Sequence, residues 1–168
     1  RMHVLAEQCN PACIDAPRLS HNATTSGVVA SLTRVGHRAE IALRGLARRG
    51  SDVQVRIDLS EHRITVTRSG RAIFGMPAAT GAAVSPTPPG EYFVTDRIAF
   101  AGGSLGTFAF GISGIQPNLP PGWNGGNQLA IHGTNDPSSI GGSASAGCLR
   151  VSERSLDRLK PLLQLGTP

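Results

Sequence analysis

From Val53 onward, apolar and polar residues alternate with a period of two: Val53, Val55, Ile57 and Leu59 are interleaved with Gln54, Arg56 and Asp58. Such a stretch forms a strand with one face in a core and the other in water. Ser60-Glu61-His62 interrupts the pattern, Ile64 and Val66 resume it, and Ser69-Gly70 marks a second reversal into Ala72 to Thr80. A three-stranded antiparallel meander is expected, with His62 facing solvent from its turn. Further on, Phe108 to Ile112 and Leu129 to Ile131 read as strands. Near the end the period changes. Leu156, Leu159 and Leu163 fall on one face of a short helix that Ser152 caps, predicted to run through Leu163 with Pro161 distorting its last turn.

Residues 1–51 follow another rhythm and form an N-terminal extension, leaving 52–168 as the body of the chain. Val28, Leu32, Val35, Ala39, Ala42, Leu43 and Leu46 recur at three- and four-residue steps, so the extension is expected to be partly helical. Gly36 and Gly45 weaken that helix by about 1 kcal/mol each relative to alanine. Cys9 and Cys13, spaced as Cys-Asn-Pro-Ala-Cys, suit a small disulfide loop in an exported protein. No second Cys/His pair accompanies them, and no metal site or cofactor is expected.

Composition supports a turn-rich, mainly β protein, with 21 glycines and 12 prolines among 168 residues. The net charge of +5 lies in one half: eleven basic residues stand at or before Arg71 against six acids, and five of each follow. A basic first half can attract anionic wall polymers. Nucleic acid is disfavoured as a partner, because one Trp and one Tyr provide no base-stacking surface. No run of eighteen apolar residues occurs, and an export segment or membrane anchor upstream stays open.

The chemistry gathers between Leu129 and Ser152. His132 ends an apolar run, and Cys148 follows the small residues Ser145, Ala146 and Gly147, with Arg150 two positions further on. A thiol attacks only as its thiolate, so a cysteine nucleophile needs a base, and an imidazole held at the end of a strand supplies one. Gly133 lets the chain turn away, and the Gly- and Ser-rich loop between can return Cys148 to the imidazole. The successive amides of Gly147 and Cys148 are candidate donors to a developing oxyanion. Arg150 carries a permanent charge with a fork suited to carboxylates. Trp123, in the Pro117–Gly126 stretch, belongs either to a lid or binding wall beside the site or to a structural pin. Gly102-Gly103-Ser104-Leu105-Gly106 matches the serine-hydrolase elbow pattern, but a strand rather than a helix is expected after it.

Ile131-His132-Gly133-Thr134-Asn135, the pair Ile140-Gly141, and Ser145-Ala146-Gly147-Cys148-Leu149-Arg150 closely resemble the L,D-transpeptidase (YkuD-like) catalytic domain. Pro86 to Val94 resembles that family's Thr-Pro-x-Gly-x-Tyr/Phe strand entry, and Thr80-Gly81 the end of its preceding strand. The resemblance covers about Asp52 to Pro168. It implies a β-sandwich or barrel-like fold with short helices, and Cys148 as the nucleophile of an acyl-enzyme on peptidoglycan tetrapeptide stems. His132 would be the base, and the Gly133 carbonyl would orient its ring. Arg150, Ser145, Trp123, Thr134 and Asn135 are taken as substrate-contacting positions. Ala146 departs from the pattern, since many members carry a second histidine there. Gly166-Thr167-Pro168 resembles the run into a final strand.

The resulting expectation is an extracytoplasmic enzyme of the cell wall or periplasm that forms 3-3 cross-links. An L,D-carboxypeptidase or a protein-anchoring enzyme would use the same nucleophile with water or a protein amine as acceptor. A non-catalytic wall-polymer binder and a Ser104 hydrolase are the alternatives from other classes. Sequence leaves the oligomeric state unassigned.

Overall fold

The computed structural model describes residues 52–168. The helix expected before Gly50, the Cys9–Cys13 loop and most of the basic bias lie outside the described residues. The meander is present: β1 (Val53–Asp58), β2 (Arg63–Arg68) and β3 (Arg71–Pro77) form an antiparallel sheet in that order. Ile57 faces Ile64 and Val55 faces Val66 in the first pair, so alternation on each strand places apolar side chains together. Ser69 and Gly70 have φ of +49° and +77°, the backbone of a tight hairpin whose twist matches that of its strands. His62 does not project freely into solvent. It is half-buried, and its Nδ1 lies 2.9 Å from the hydroxyl of Thr80.

A second sheet holds β5 (Val94–Ala99), β6 (Phe108–Ile115), β7 (Gln128–His132) and β9 (Leu149–Arg150), in that order. β4 (Thr80–Gly81) and β8 (Ser143–Ser145) form a short parallel pair. Pairing is antiparallel from β5 to β7, but β9 joins β7 in parallel, with Ile131 opposite Leu149 and His132 opposite Arg150. Parallel neighbours need a crossover connection, and residues 133–148 supply it.

Both sheets contribute to one core. Ile64, Val66 and Met76 meet Val94, Phe110, Ile131 and Leu149 there. Helix α1 (Glu153–Leu159) closes it with Leu156 and Leu159, joined by Leu163 from the following turn, all three fully buried. Ser152 caps α1 by accepting from the Ser155 amide at 3.2 Å. The helix ends at Leu159, four residues before the expected limit, because Pro161 lacks an amide hydrogen and its ring collides with the preceding turn. Arg97 replaces the lost capping bonds by donating to the carbonyls of Lys160 and Leu163. None of the described helices is long and apolar enough to cross a membrane.

Candidate active site

The β7–β9 ladder brings the chemistry together. His132 and Arg150 are register partners, so their side chains share a face of the sheet. Cys148 lies two residues before Arg150 and therefore shares it as well. That places Cys148 diagonally across from His132, a spacing at which side chains on adjacent strands reach each other. All three line one cavity of about 60 Å³, and Ile131 and Leu149 face the opposite side of the ladder. The ladder is held at both edges. On one, β6 pairs with β7, with Ala109 opposite His132; on the other, Ala79 and Arg150 exchange backbone bonds of 2.8 and 3.1 Å, and within the ladder Val151 donates to the His132 carbonyl at 2.9 Å.

His132 is buried, and its Nδ1 lies 2.6 Å from the Gly133 carbonyl oxygen. A carbonyl only accepts, so Nδ1 carries the hydrogen and Nε2 keeps its lone pair. Burial pushes the imidazole pKa down to about 4 from an ordinary 6.5; the Gly133 bond opposes this and the Arg150 charge reinforces it. The ring is therefore neutral at physiological pH, with Nε2 unprotonated. Gly133 itself is packed against Gly106. A Cβ on Gly133 would run into the Glu153 carboxylate and sit 2.9 Å from the Gly106 Cα and 2.9 Å from Leu156 Cδ1, so only glycine permits this approach. The Gly102–Gly106 motif thus serves as a turn under the histidine. The strand β6 follows it where a hydrolase elbow requires a helix.

Cys148 is half-buried, with Sγ 4.0 Å from the Gln128 carbonyl. The turn before it is fastened at successive groups. Ser145 Oγ accepts from the Gly147 amide at 3.0 Å and donates to the Cys148 carbonyl at 2.5 Å. Thr87 Oγ1 donates to the Gly147 carbonyl at 2.8 Å and accepts from the Gly81 amide at 2.8 Å. Gln116 donates to the Ala146 carbonyl at 3.3 Å. Two expectations change here. The Gly147 amide is committed to Ser145 and is not presented to an oxyanion. Ser145, although it borders the cavity, is a buried clamp whose hydroxyl faces the backbone rather than a substrate.

The remaining positions divide. Arg150 lines the cavity, and its Nε is the one buried side-chain nitrogen or oxygen among the described residues without a hydrogen-bond partner. Trp123 also lines the cavity, half-buried, with its indole nitrogen donating to the Gly126 carbonyl at 3.0 Å, so it pins its own loop and forms a wall. Thr134 and Asn135 do not line it: the Thr134 hydroxyl accepts from the Asp136 amide at 3.0 Å in a local turn, and Asn135 is exposed beyond it. Neither Gln116 nor Thr87 stood out as a site residue in the sequence. Each lies 30 or more residues from the turn it holds.

Comparison with known proteins agrees with this geometry. The family model for the L,D-transpeptidase catalytic domain, YkuD, matches residues 52–168. YkuD of Bacillus subtilis strain 168 is 26% identical over 113 residues, 67% of this chain. The Bacillus licheniformis YkuD is 28% identical over 114 residues. The chain spans 62% of the length of each of these relatives. Among solved structures, an L,D-transpeptidase from Mycobacterium tuberculosis H37Rv superposes with a TM-score of 0.55 at 23% identity, covering 70% of this chain and 56% of that one. One from Mycobacterium smegmatis gives 0.54 at 21%, covering 70% and 57%. At these identities the structural likeness speaks for the fold.

Proposed function

This chain belongs to the L,D-transpeptidase catalytic domain family, and from that premise we propose that it is a cysteine-dependent transpeptidase acting on peptidoglycan stem peptides outside the cytoplasm. The observation that carries the reading is the shared face of Cys148, His132 and Arg150 on one ladder, opening into one cavity.

In the proposed reaction, Cys148 Sγ attacks the carbonyl between the diamino acid and the terminal D-alanine of a tetrapeptide stem, and its proton passes to His132 Nε2. The tetrahedral intermediate collapses with cleavage of the C–N bond. The D-alanine amine leaves with the proton held by the imidazole, and a thioester remains on Cys148. The side-chain amine of a second stem then attacks the thioester, its proton goes to His132, and the C–S bond breaks to regenerate the thiol and leave a 3-3 cross-link. The Gly133 carbonyl plays the orienting part that a carboxylate plays in a Ser-His-Asp triad. It fixes the tautomer but places no full negative charge behind the imidazolium. Arg150, a cation already partly stripped of partners, provides an attractive field for a stem carboxylate and for the thiolate.

The test is intact-mass analysis after incubation with imipenem and, separately, with defined tetrapeptide stems. The wild-type chain is expected to gain one imipenem-derived adduct and Cys148→Ala none; an adduct on Cys148→Ala would remove the reading. With stems, a cross-linked dimer supports transpeptidation. A tripeptide with no dimer would assign water as the acceptor.

A further inference from the structure

The geometry points to Gln116 as a positioning residue for the Cys148 turn, an inference that rests on Cys148 being the nucleophile. Gln116 follows β6 and is only 2% exposed. Its Nε2 donates to the carbonyls of Ser85 at 3.1 Å, Pro86 at 2.9 Å and Ala146 at 3.3 Å. Its Oε1 accepts from the Asn118 amide at 2.9 Å. Three acceptors around one end and a donor at the other leave a single orientation for the carboxamide. Two N–H groups serving three carbonyls make one of the bonds shared.

The consequence lies in the two peptide planes before the sulfur. The Ala146–Gly147 plane is held at its carbonyl by Gln116 and at its N–H by Ser145 Oγ. The Gly147–Cys148 plane is held at its carbonyl by Thr87. A trans peptide points its N–H opposite to its carbonyl, so these bonds together aim the Cys148 amide. Gly147 between them has φ +117° and no room for a Cβ, because the Gln116 carboxamide packs directly over its Cα. Without Gln116, the Ala146–Gly147 plane keeps only its Ser145 bond, and Thr87 alone restrains the next plane across the positive-φ hinge at Gly147.

Gln116 also sits at the base of the Trp123 loop. Its backbone amide donates to the Asn127 carbonyl at 2.7 Å, closing residues 117–126 into a loop whose first turn is set by the Asn118–Oε1 bond. One carboxamide therefore ties the cavity wall to the turn beneath the thiol.

Positioning and simple thiol reactivity separate experimentally. Alkylation by iodoacetamide needs a thiolate but no aligned carbonyl, whereas acylation by imipenem needs the carbonyl, the thiol and the oxyanion donor in register. Gln116→Glu keeps the shape but turns a carboxylate onto three carbonyl oxygens. At pH 7.5 it should slow imipenem acylation at least ~10-fold while alkylation changes less than ~3-fold. The variant-to-wild-type acylation ratio should rise as pH is lowered, because a carboxyl buried among carbonyls takes up a proton and becomes a donor again. Gln116→Met, neutral and of similar length, should show the same split without the pH recovery, and it stands in for Gln116→Glu if that variant does not fold. Equal losses in acylation and alkylation, or undiminished acylation in a folded variant, would overturn the assignment of Gln116. A wild-type chain that takes no imipenem on Cys148 would instead overturn the catalytic reading on which it rests.

Discussion

The cavity beside β1 has a volume of about 740 Å³, and the one over the cysteine turn about 60 Å³, yet the smaller gathers the candidate reactive groups. The larger is walled by Val55, Ile57, Phe93, Val94 and Leu163, with Arg56, Glu91 and Tyr92 as its ionisable side chains among the described residues. The smaller is walled by a cysteine, a histidine and an arginine, backed by groups whose polar atoms are already committed. The two lie on opposite faces of the same ladder: Ile131 and Leu149 look into the large cavity, and His132 and Arg150 into the small one. Size is a reasonable first guide to a binding site, but here convergent reactive groups locate it and volume does not. The large cavity is a gap between sheets. The small one is a candidate site held in shape by hydrogen bonds.

If that contrast is right, altering the small cavity should change rates far more than altering the large one. The largest effect after loss of the thiol is expected at the base: His132→Ala should lower imipenem acylation by roughly 10² to 10⁴ and change the dependence of alkylation rate on pH. Identical alkylation profiles for wild type and variant would refute the pairing. The same histidine has a stability signature. Its folded pKa of about 4 lies below the ordinary 6.5, so between those values the unfolded chain binds a proton that the folded chain refuses. Stability is therefore fully present above about pH 6.5 and falls with pH down to about 4, by on the order of 3 kcal/mol. Urea unfolding at pH 7, 5.5 and 4 should show this slope in the wild type, and a much weaker one in His132→Ala. An equal slope in both would assign it to other groups.

Much of the contrast was legible in the sequence, and the reason is local. Alternation in Val53–Leu59, the Ser69-Gly70 turn and the apolar run into His132 are written in consecutive residues, and period and turn chemistry act over that range. The Cys148 motif is also contiguous. What holds it is not. Gln116 and Thr87 reach the turn from 30 and 60 residues away, and a glutamine between a strand and a proline reads simply as the start of a loop. The Gly147 amide differs from its expected role, and the sequence carries a signal for this: Ser145 precedes it by two residues, the spacing at which a serine hydroxyl captures a backbone amide. Thr134 and Asn135 failed for a related reason, because the Thr134 hydroxyl finds the Asp136 amide before any ligand. The turn around His62 points to solvent, while Thr80, eighteen residues on, decides its surroundings.

A smaller effect is expected where the histidine's support meets the backbone of another loop. Gly133→Ala places a methyl against the Glu153 carboxylate, the Gly106 Cα and Leu156, and overpacking of this kind costs about 1–3 kcal/mol. Because the Gly133 carbonyl orients the imidazole, acylation by imipenem should fall about 10-fold, beyond what the lost stability explains. Thermal unfolding and acylation kinetics on the same sample check this. Full activity with a lowered Tm would show that the ring is oriented without that carbonyl.

The smallest kinetic effect is expected across the ladder. Ile57 lines the large cavity and packs partly buried against the core, so Ile57→Ala should lower stability by about 1–2 kcal/mol, less than a fully buried isoleucine would lose. Its influence on Cys148 has to pass through Ile131 and Leu149 and then through a ladder fixed by backbone bonds on both edges. Those bonds do not depend on what fills the cavity, so alkylation by iodoacetamide and acylation by imipenem should both stay within about twofold of the wild type. A tenfold loss of acylation in a folded Ile57→Ala would mean that the two faces are coupled, and that the packing of the large cavity sets the geometry of the small one.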